Sequence, residues 1–176
     1  MSETAAYILN AVQTPTPMET VYRSIERDNT TKDEIADDTA LDEDLMNQGL
    51  TGLQVVGLVG RQEPDYYTVE LPWNTGDDAL DFRMGVLHEL AIDVDDSDWG
   101  KQSVVLLNYK YLLQNERQAF DADDTTLYAE MNRWQRSIGY APRSQQGEID
   151  LNQPKFVNWT RLAELLGIIY KLSFAR

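Results

Sequence analysis

The sequence predicts a mainly α-helical protein with one small β-hairpin. Apolar residues recur at helical spacing through most of the chain, and helix-capping residues precede several of these stretches. One short stretch, residues 66–71, instead alternates between polar and apolar side chains, as a half-buried strand does. The chain has 176 residues, of which 42% are hydrophobic. This length and composition suit one globular domain or two small ones.

The first two predicted helices are separated by a proline-containing turn. The first covers residues 3–13, and Pro15 and Pro17 prevent it from continuing. Apolar residues at helical spacing predict a second helix from about residue 18 to residue 28. Two helices separated by a short turn are therefore expected at the start of the chain.

Capping residues predict the next two helices. Thr31 and Glu34 have the spacing of a capping box, which indicates the start of a short helix. Asp42 begins a longer helix, and Gly57 is well placed to end it. Apolar residues of this region are expected to be largely buried, and they are Leu45, Leu50, Leu53, Val56, Leu58 and Tyr67.

A predicted hairpin follows the longer helix, with a strand at 58–61, a turn at 62–65 and a strand at 66–71. The order of helix, short helix, longer helix and hairpin resembles the winged helix-turn-helix superfamily. The stretch LTGLQVVGLVGRQEPDYYTVEL resembles the usual third helix and wing of that superfamily. The resemblance covers residues 18–71 and implies a winged-helix domain at 1–71, with residues 72–81 as a linker.

The remainder, residues 82–176, is predicted to be a helical C-terminal domain. Residues 160–167 resemble an element of a second, degenerate helix-turn-helix. Residues 93–98 are expected to form an acidic loop and residues 139–153 a polar loop. Helices are expected at 82–92, from 99 or 101 to 120, at 126–138 and at 156–170.

The net charge of −15 is the most unusual bulk property, from 30 acidic and 15 basic residues. Residues 1–98 carry 22 acidic and 5 basic side chains, a net of −17, whereas residues 99–176 carry 8 and 10, a net of +2. An aspartate-rich, lysine-poor surface is typical of salt-loving, often archaeal, hosts, in which salt screens the self-repulsion. An acidic protein of an ordinary host is the alternative. Part of the surface of the more basic second half is therefore expected to contact something other than bulk salt solution.

The chain lacks the residue patterns of common catalytic and metal sites. It has no cysteine, and its single histidine, His88, begins H-E-x-x-I rather than the zinc-binding H-E-x-x-H. We therefore expect a non-enzymatic protein without metal or cofactor. Its apolar runs are too short to span a membrane, and its first residues do not resemble a signal peptide, so a cytoplasmic location is expected.

The predicted third helix is a poor candidate for reading DNA. Winged helices usually place this helix in the major groove, where arginine and lysine are favoured. Here the helix opens with three acidic residues and contains neither arginine nor lysine. We therefore expect this helix and the wing to dock a protein partner, through Asn47, Gln48, Gln54 and Arg61.

The second half contains a better candidate for nucleic acid. Residues 133–143 combine three arginines with aromatic side chains and no acidic residue. Arginine pairs with phosphate and stacks on bases, so this segment could contact DNA or RNA, and a protein interface is an equal alternative. Trp134 could instead be core, with the arginines paired to Glu130 or Asp150. The candidate residues are Arg133, Trp134, Arg136, Tyr140, Arg143, Lys155 and Arg161.

These observations predict a winged-helix binding protein, a DNA-associated subunit of a larger assembly in a halophile. Phosphate contacts weaken steeply with salt, which favours a subunit over a free-standing regulator. Transcription, chromosome maintenance and phage defence all use such subunits, and we slightly favour defence. The alternative is a protein–protein adaptor that does not contact nucleic acid. Whether the chain self-associates is left open.

Overall fold

A computed structural model describes residues 6–92, 94–95, 98–121, 123–144 and 147–171. The chain forms two compact units, Met1–Glu89 and Leu90–Arg176, called here the N-terminal and C-terminal units. The sequence placed the division earlier, at a linker over residues 72–81. Residues 82–89 instead belong to the N-terminal unit.

The N-terminal unit consists of helices followed by a hairpin and a further helix. Of the predicted helix at 3–13, residues 8–11 are helical, residues 6, 7, 12 and 13 are not, and residues 1–5 lie outside the described residues. The last three residues of the final helix belong to the C-terminal unit. The elements are α1 (Ile8–Ala11), α2 (Thr16–Glu26), α3 (Lys32–Thr39), α4 (Glu43–Val56), β1 (Val59–Gln62), β2 (Asp65–Thr68) and α5 (Asp78–Ile92).

Capping side chains fix the ends of α3 and α4 as predicted. Thr31 Oγ1 accepts a hydrogen bond from the Glu34 amide, and the Glu34 carboxylate accepts one from the Thr31 amide. Hydrogen bonds donated to this carboxylate by the Thr31 amide, the Thr31 hydroxyl and the Thr30 amide hold the pKa of Glu34 below its usual value. The Asp42 side chain caps α4 at the Leu45 amide, 2.9 Å away. Gly57 ends α4 with a left-handed φ of 89°.

Helices α2 and α4 pack closely because α4 presents two glycines to the preceding helices. A Cβ on Gly49 would lie 3.1 Å from the Pro17 carbonyl oxygen. One on Gly52 would lie 2.8 Å from Met18 Sδ. Helix α3 and the hairpin also pack on this pair. The order of helices and hairpin follows the prediction, and membership of the winged-helix superfamily stays a prediction.

Helix α5 packs on the same core. The rings of Phe82 and Tyr22 lie 5.4 Å apart, and both residues are fully buried. Burial, and then the nearby Glu26 carboxylate, raise the pKa of Tyr22 to about 12. These contacts explain why the start of α5 belongs to the N-terminal unit rather than to a separate domain.

The hairpin is antiparallel, as predicted, but it buries a different tyrosine. Tyr66 is 3% exposed and Tyr67 is 52% exposed, so the predicted burial of Tyr67 is wrong. Tyr67 lies opposite Gly60, and a Cβ on that glycine would come within 2.1 Å of the tyrosine ring. The ring therefore lies over the glycine on the outer face of the hairpin. Leu45 is also only half-buried, whereas the burial predicted for the other four residues is confirmed: Leu50, Leu53, Val56 and Leu58.

The C-terminal unit is helical, as predicted, and it also contains short strands that the sequence did not predict. Two further antiparallel strand pairs lie in the segments expected to be loops. A 3-10 turn at Lys101–Ser103 leads into the first helix that lies wholly in this unit. The elements are β3 (Val94–Asp95), β4 (Asp98–Trp99), α6 (Val104–Gln114), α7 (Thr125–Ser137), β5 (Arg143–Ser144), β6 (Gly147–Glu148) and α8 (Gln153–Leu165).

Two of these helices end earlier than the sequence predicted. Helix α6 stops at Gln114 rather than at 120, because Glu116 adopts a left-handed φ of 52°. Helix α8 stops at Leu165 because Gly167 has a φ of 72°, and the Ile168 amide bonds back to Ala163 at 2.9 Å. No helix follows Gly167 in the described part of the chain, which ends at 171, so a second helix-turn-helix at 160–167 is not observed.

Aromatic side chains from α8 fill the core of the C-terminal unit. Trp159 is fully buried, and its indole Nε1 donates to the Val105 carbonyl at 3.0 Å. Its ring stacks on Phe156 with centroids 5.4 Å apart. Nearby, the buried Gln135 side chain donates to Asn108 Oδ1 at 2.6 Å. These contacts fix α6, α7 and α8 around one core.

Candidate functional site

The fold already uses two of the predicted docking residues on α4. The Asn47 side chain accepts a hydrogen bond from Lys32 Nζ at 2.7 Å. The Gln48 side-chain oxygen accepts from the backbone amides of Gln13 and Thr14, at 3.3 and 3.2 Å. Gln48 therefore satisfies two backbone donors in the turn between α1 and α2. These bonds give Gln48 a structural role, and its contact with a partner stays a prediction.

The other predicted docking residues are exposed. Gln54 lies on the surface of α4. Arg61 in β1 pairs with Glu63 at 3.2 Å and lies 5.3 Å from the centre of the Tyr66 ring. Three acidic residues, 42–44, are exposed at the start of α4. The surface of this helix is therefore anionic at one end and carries uncharged amides along its length.

In the C-terminal unit, the predicted basic patch contains acidic residues contributed by the following loop. Arg136 bonds to the Asp150 carboxylate at 2.5 Å and lies 3.6 Å from Glu148. Arg143 stands opposite Glu148 in the β5–β6 pair. For Arg136, the structure shows the pairing with Asp150 that the sequence left open as an alternative.

The loop that brings these acidic residues to α7 is firmly attached. The Asn132 side chain donates to the Leu151 carbonyl at 2.8 Å and accepts from the Leu151 amide at 2.9 Å. The Ile149 amide donates to the Pro142 carbonyl at 2.8 Å. Between the loop and α7 lies a cleft with room for roughly one water molecule. This cleft is too small for an organic ligand.

Two aromatic residues of the predicted patch belong wholly or partly to the core. Tyr140 is buried and donates from its hydroxyl to the Lys101 carbonyl at 2.9 Å, so it belongs to the core, and its role in binding stays a prediction. Trp134 is half-buried, with its ring edge-on to Tyr111 at 5.6 Å. Burial, and then the Glu130 carboxylate, raise the pKa of Tyr111.

The remaining predicted cations lie on three different elements. Arg133 on α7, Arg143 on β5 and Arg161 on α8 are all exposed. Lys155, in the first turn of α8, is half-buried. These three arginines are exposed, and Arg136, which is also exposed, has two carboxylates beside it.

Sequence reasoning missed an apolar surface on α5. Leu80 and Met84 are 44% and 36% exposed, and they lie one turn apart. The next turn on the same face carries the exposed His88, whose ring meets the edge of the Trp73 ring at 5.2 Å. The sequence does contain a signal for this surface, because Leu80 and Met84 repeat at helical spacing. They are offset by two positions from the buried residues of the same helix, which are Phe82, Val86 and Leu90.

The described part of the chain lacks two classes of feature. Within it, no helix is long and apolar enough to cross a membrane. Among the same residues, no group of three or more histidine, aspartate or glutamate side chains could hold a metal ion.

Comparison with known proteins gives no match. No family model matches the chain, and no curated protein or solved structure matches it.

Proposed function

We propose that this chain is a non-enzymatic winged-helix binding protein, a subunit of a larger assembly, whose N-terminal unit docks a protein rather than DNA. The surface of α4 carries this proposal. In a DNA-reading winged helix, this element would offer cationic or free amide side chains to the groove. Here it offers three exposed carboxylates at its start and no arginine or lysine along its length.

The hydrogen bonds of α4 support the same proposal. Asn47 and Gln48, two of its three polar candidates for base contact, already have partners within the N-terminal unit. Carboxylates beside DNA phosphates repel, and salt weakens that repulsion without reversing its sign. The proposed assembly serves transcription, chromosome maintenance or phage defence, and the proposed host is a halophile, because of the net charge of −15.

The second candidate function is nucleic-acid contact through the C-terminal unit. The exposure of Arg133, Arg143 and Arg161 favours it, because arginine pairs well with phosphate. The two carboxylates beside Arg136 oppose it, because they cancel much of the local positive charge. We therefore rank this candidate below protein docking.

Binding of labelled duplex DNA by the full chain, followed by fluorescence anisotropy at about 0.1 M KCl, separates the two candidates. The α4 variant Asn47→Ala/Gln54→Ala should bind within about twofold of wild type, because α4 does not read DNA. The matched variant Arg133→Gln/Arg143→Gln should weaken any binding and flatten its log–log salt slope by about 2 units if the C-terminal unit holds phosphates.

Each outcome of this experiment decides one proposal. A loss of tenfold or more in the α4 variant, with an unchanged thermal melt, would show that α4 reads DNA and would overturn protein docking. No DNA binding by wild type, or an arginine variant equal to wild type, would remove the second candidate.

A further inference from the structure

Leu80, Met84 and His88 on α5, together with Trp73 of the preceding segment, form a partly exposed surface that is called here the α5 face. The buried side of the same helix, which includes Phe82 and Val86, already faces the core. Helix α5 is therefore apolar on two sides. A surface helix usually has one apolar face, and a second indicates that another surface covers it.

The geometry of this face suits a packed helix. Leu80 and Met84 stand one turn apart, where two side chains form a ridge along the helix axis. At the end of that ridge, the Trp73 ring braces His88 edge-on at 5.2 Å. The segment that carries Trp73 is itself held on α5, since a Cβ on Gly85 would lie 3.1 Å from the Leu71 methyl groups. Aromatic and methionine side chains of this kind are enriched at protein interfaces.

Charge determines what can cover the face. Residues 1–89 carry 18 acidic and 5 basic side chains, a net of −13. The start of α5 exposes Asp77 and Asp78 directly beside Leu80. A second copy of this unit would bring two strongly negative surfaces together, and the phosphates of nucleic acid would be repelled in the same way. A positively charged partner is attracted instead.

We infer that the α5 face docks an amphipathic helix of a partner protein, one whose apolar side chains are flanked by lysine or arginine. The inference rests on the proposed protein-docking function and names its surface and the chemistry of its partner. At low salt the charges select the partner, whereas in concentrated salt the charge attraction is screened and the apolar contacts carry the affinity.

The probe for this inference is a fluorescent peptide of about 16 residues, with leucines at helical spacing and lysines elsewhere. Fluorescence anisotropy measures its binding to the full chain at about 0.1 M and about 1 M KCl. Replacing both apolar anchors, in Leu80→Ser/Met84→Ser, should weaken binding by about tenfold or more at both salt concentrations. Asp78→Asn should weaken binding at low salt only.

Matched controls make the result specific. Leu113→Ser removes a leucine that is more exposed than Leu80, 60% against 44%, on α6 of the other unit, and it should leave peptide binding unchanged. Met84→Lys is a second variant of the face, and it should repel the lysine peptide while leaving the thermal melt of the chain unchanged. A peptide with glutamate in place of lysine should bind at least tenfold more weakly to wild type.

Three results would overturn the inference. The double serine variant could bind the lysine peptide within twofold of wild type, or the glutamate peptide could bind as tightly as the lysine peptide. Sedimentation could also show a wild-type dimer that the double serine variant dissociates, which would assign the face to a second copy. None of these results alters the DNA-binding behaviour of the α4 variant, so failure of this inference is distinct from failure of the proposed function.

Discussion

Replacing Trp159 with alanine is expected to lower the free energy of unfolding of the C-terminal unit by about 3–5 kcal/mol. The side chain is fully buried, stacks on Phe156 and donates its indole hydrogen to the Val105 carbonyl. The substitution removes these contacts and leaves a cavity that α8 cannot close without moving from α6. Urea denaturation followed by circular dichroism measures the change.

Trp134→Ala is the matched control, because it removes the same side chain from a half-buried position in the same unit. Its main aromatic contact is an edge-on approach to Tyr111, so we expect a loss of only about 1 kcal/mol. Equal losses for the two variants would contradict the assignment of Trp159 to the centre of the core.

Thermal stability is expected to rise by roughly 10 °C as KCl increases from about 0.1 to about 2 M. The physical reason is the net charge of −15, most of it in the first half of the chain, whose self-repulsion salt screens. Differential scanning calorimetry at increasing KCl concentration measures the rise. A flat melting temperature across this range would contradict the proposed adaptation to a halophilic host.

A variant with less charge tests whether repulsion is the cause. Asp37 and Glu70 are both exposed in the N-terminal unit. Asp37→Asn/Glu70→Gln should melt above wild type at low salt and gain less from added KCl. A variant that gains as much as wild type would show that salt acts by some route other than screening.

The local signals in the sequence predicted the N-terminal unit well. Thr31, Asp42 and Gly57 mark helix ends through bonds to their immediate neighbours, so the sequence contains the whole signal. Gly167 carries the same kind of signal for the end of α8, although the sequence prediction extends that helix to 170. Glu116 gave no such signal, because glutamate seldom adopts the left-handed conformation that ends α6.

The choice between Tyr66 and Tyr67 could not be made from the sequence. Two adjacent tyrosines fit a strand in either register, and a shift of one residue exchanges the two faces. The pairing of Tyr67 with Gly60 across the hairpin sets the observed register. That contact joins two strands, and alternation within one strand does not reveal it.

The candidate sites depended on contacts between residues distant in sequence. Gln48 bonds to amides more than 30 positions earlier, and Arg136 bonds to Asp150 across a loop. Composition suggested a patch of three arginines, but the fold placed two carboxylates beside one of them. The apolar residues on the exposed side of α5 can be predicted from helical spacing, because Leu80 and Met84 repeat one turn apart.

Photo-crosslinking from position 54 in the native host tests most directly whether the N-terminal unit docks protein rather than DNA. Gln54 is exposed on α4, so a benzophenone amino acid there samples whatever this helix contacts. We expect a crosslinked species that nuclease leaves intact and protease destroys. A crosslinked species that nuclease shortens, with DNA attached at position 54, would contradict it.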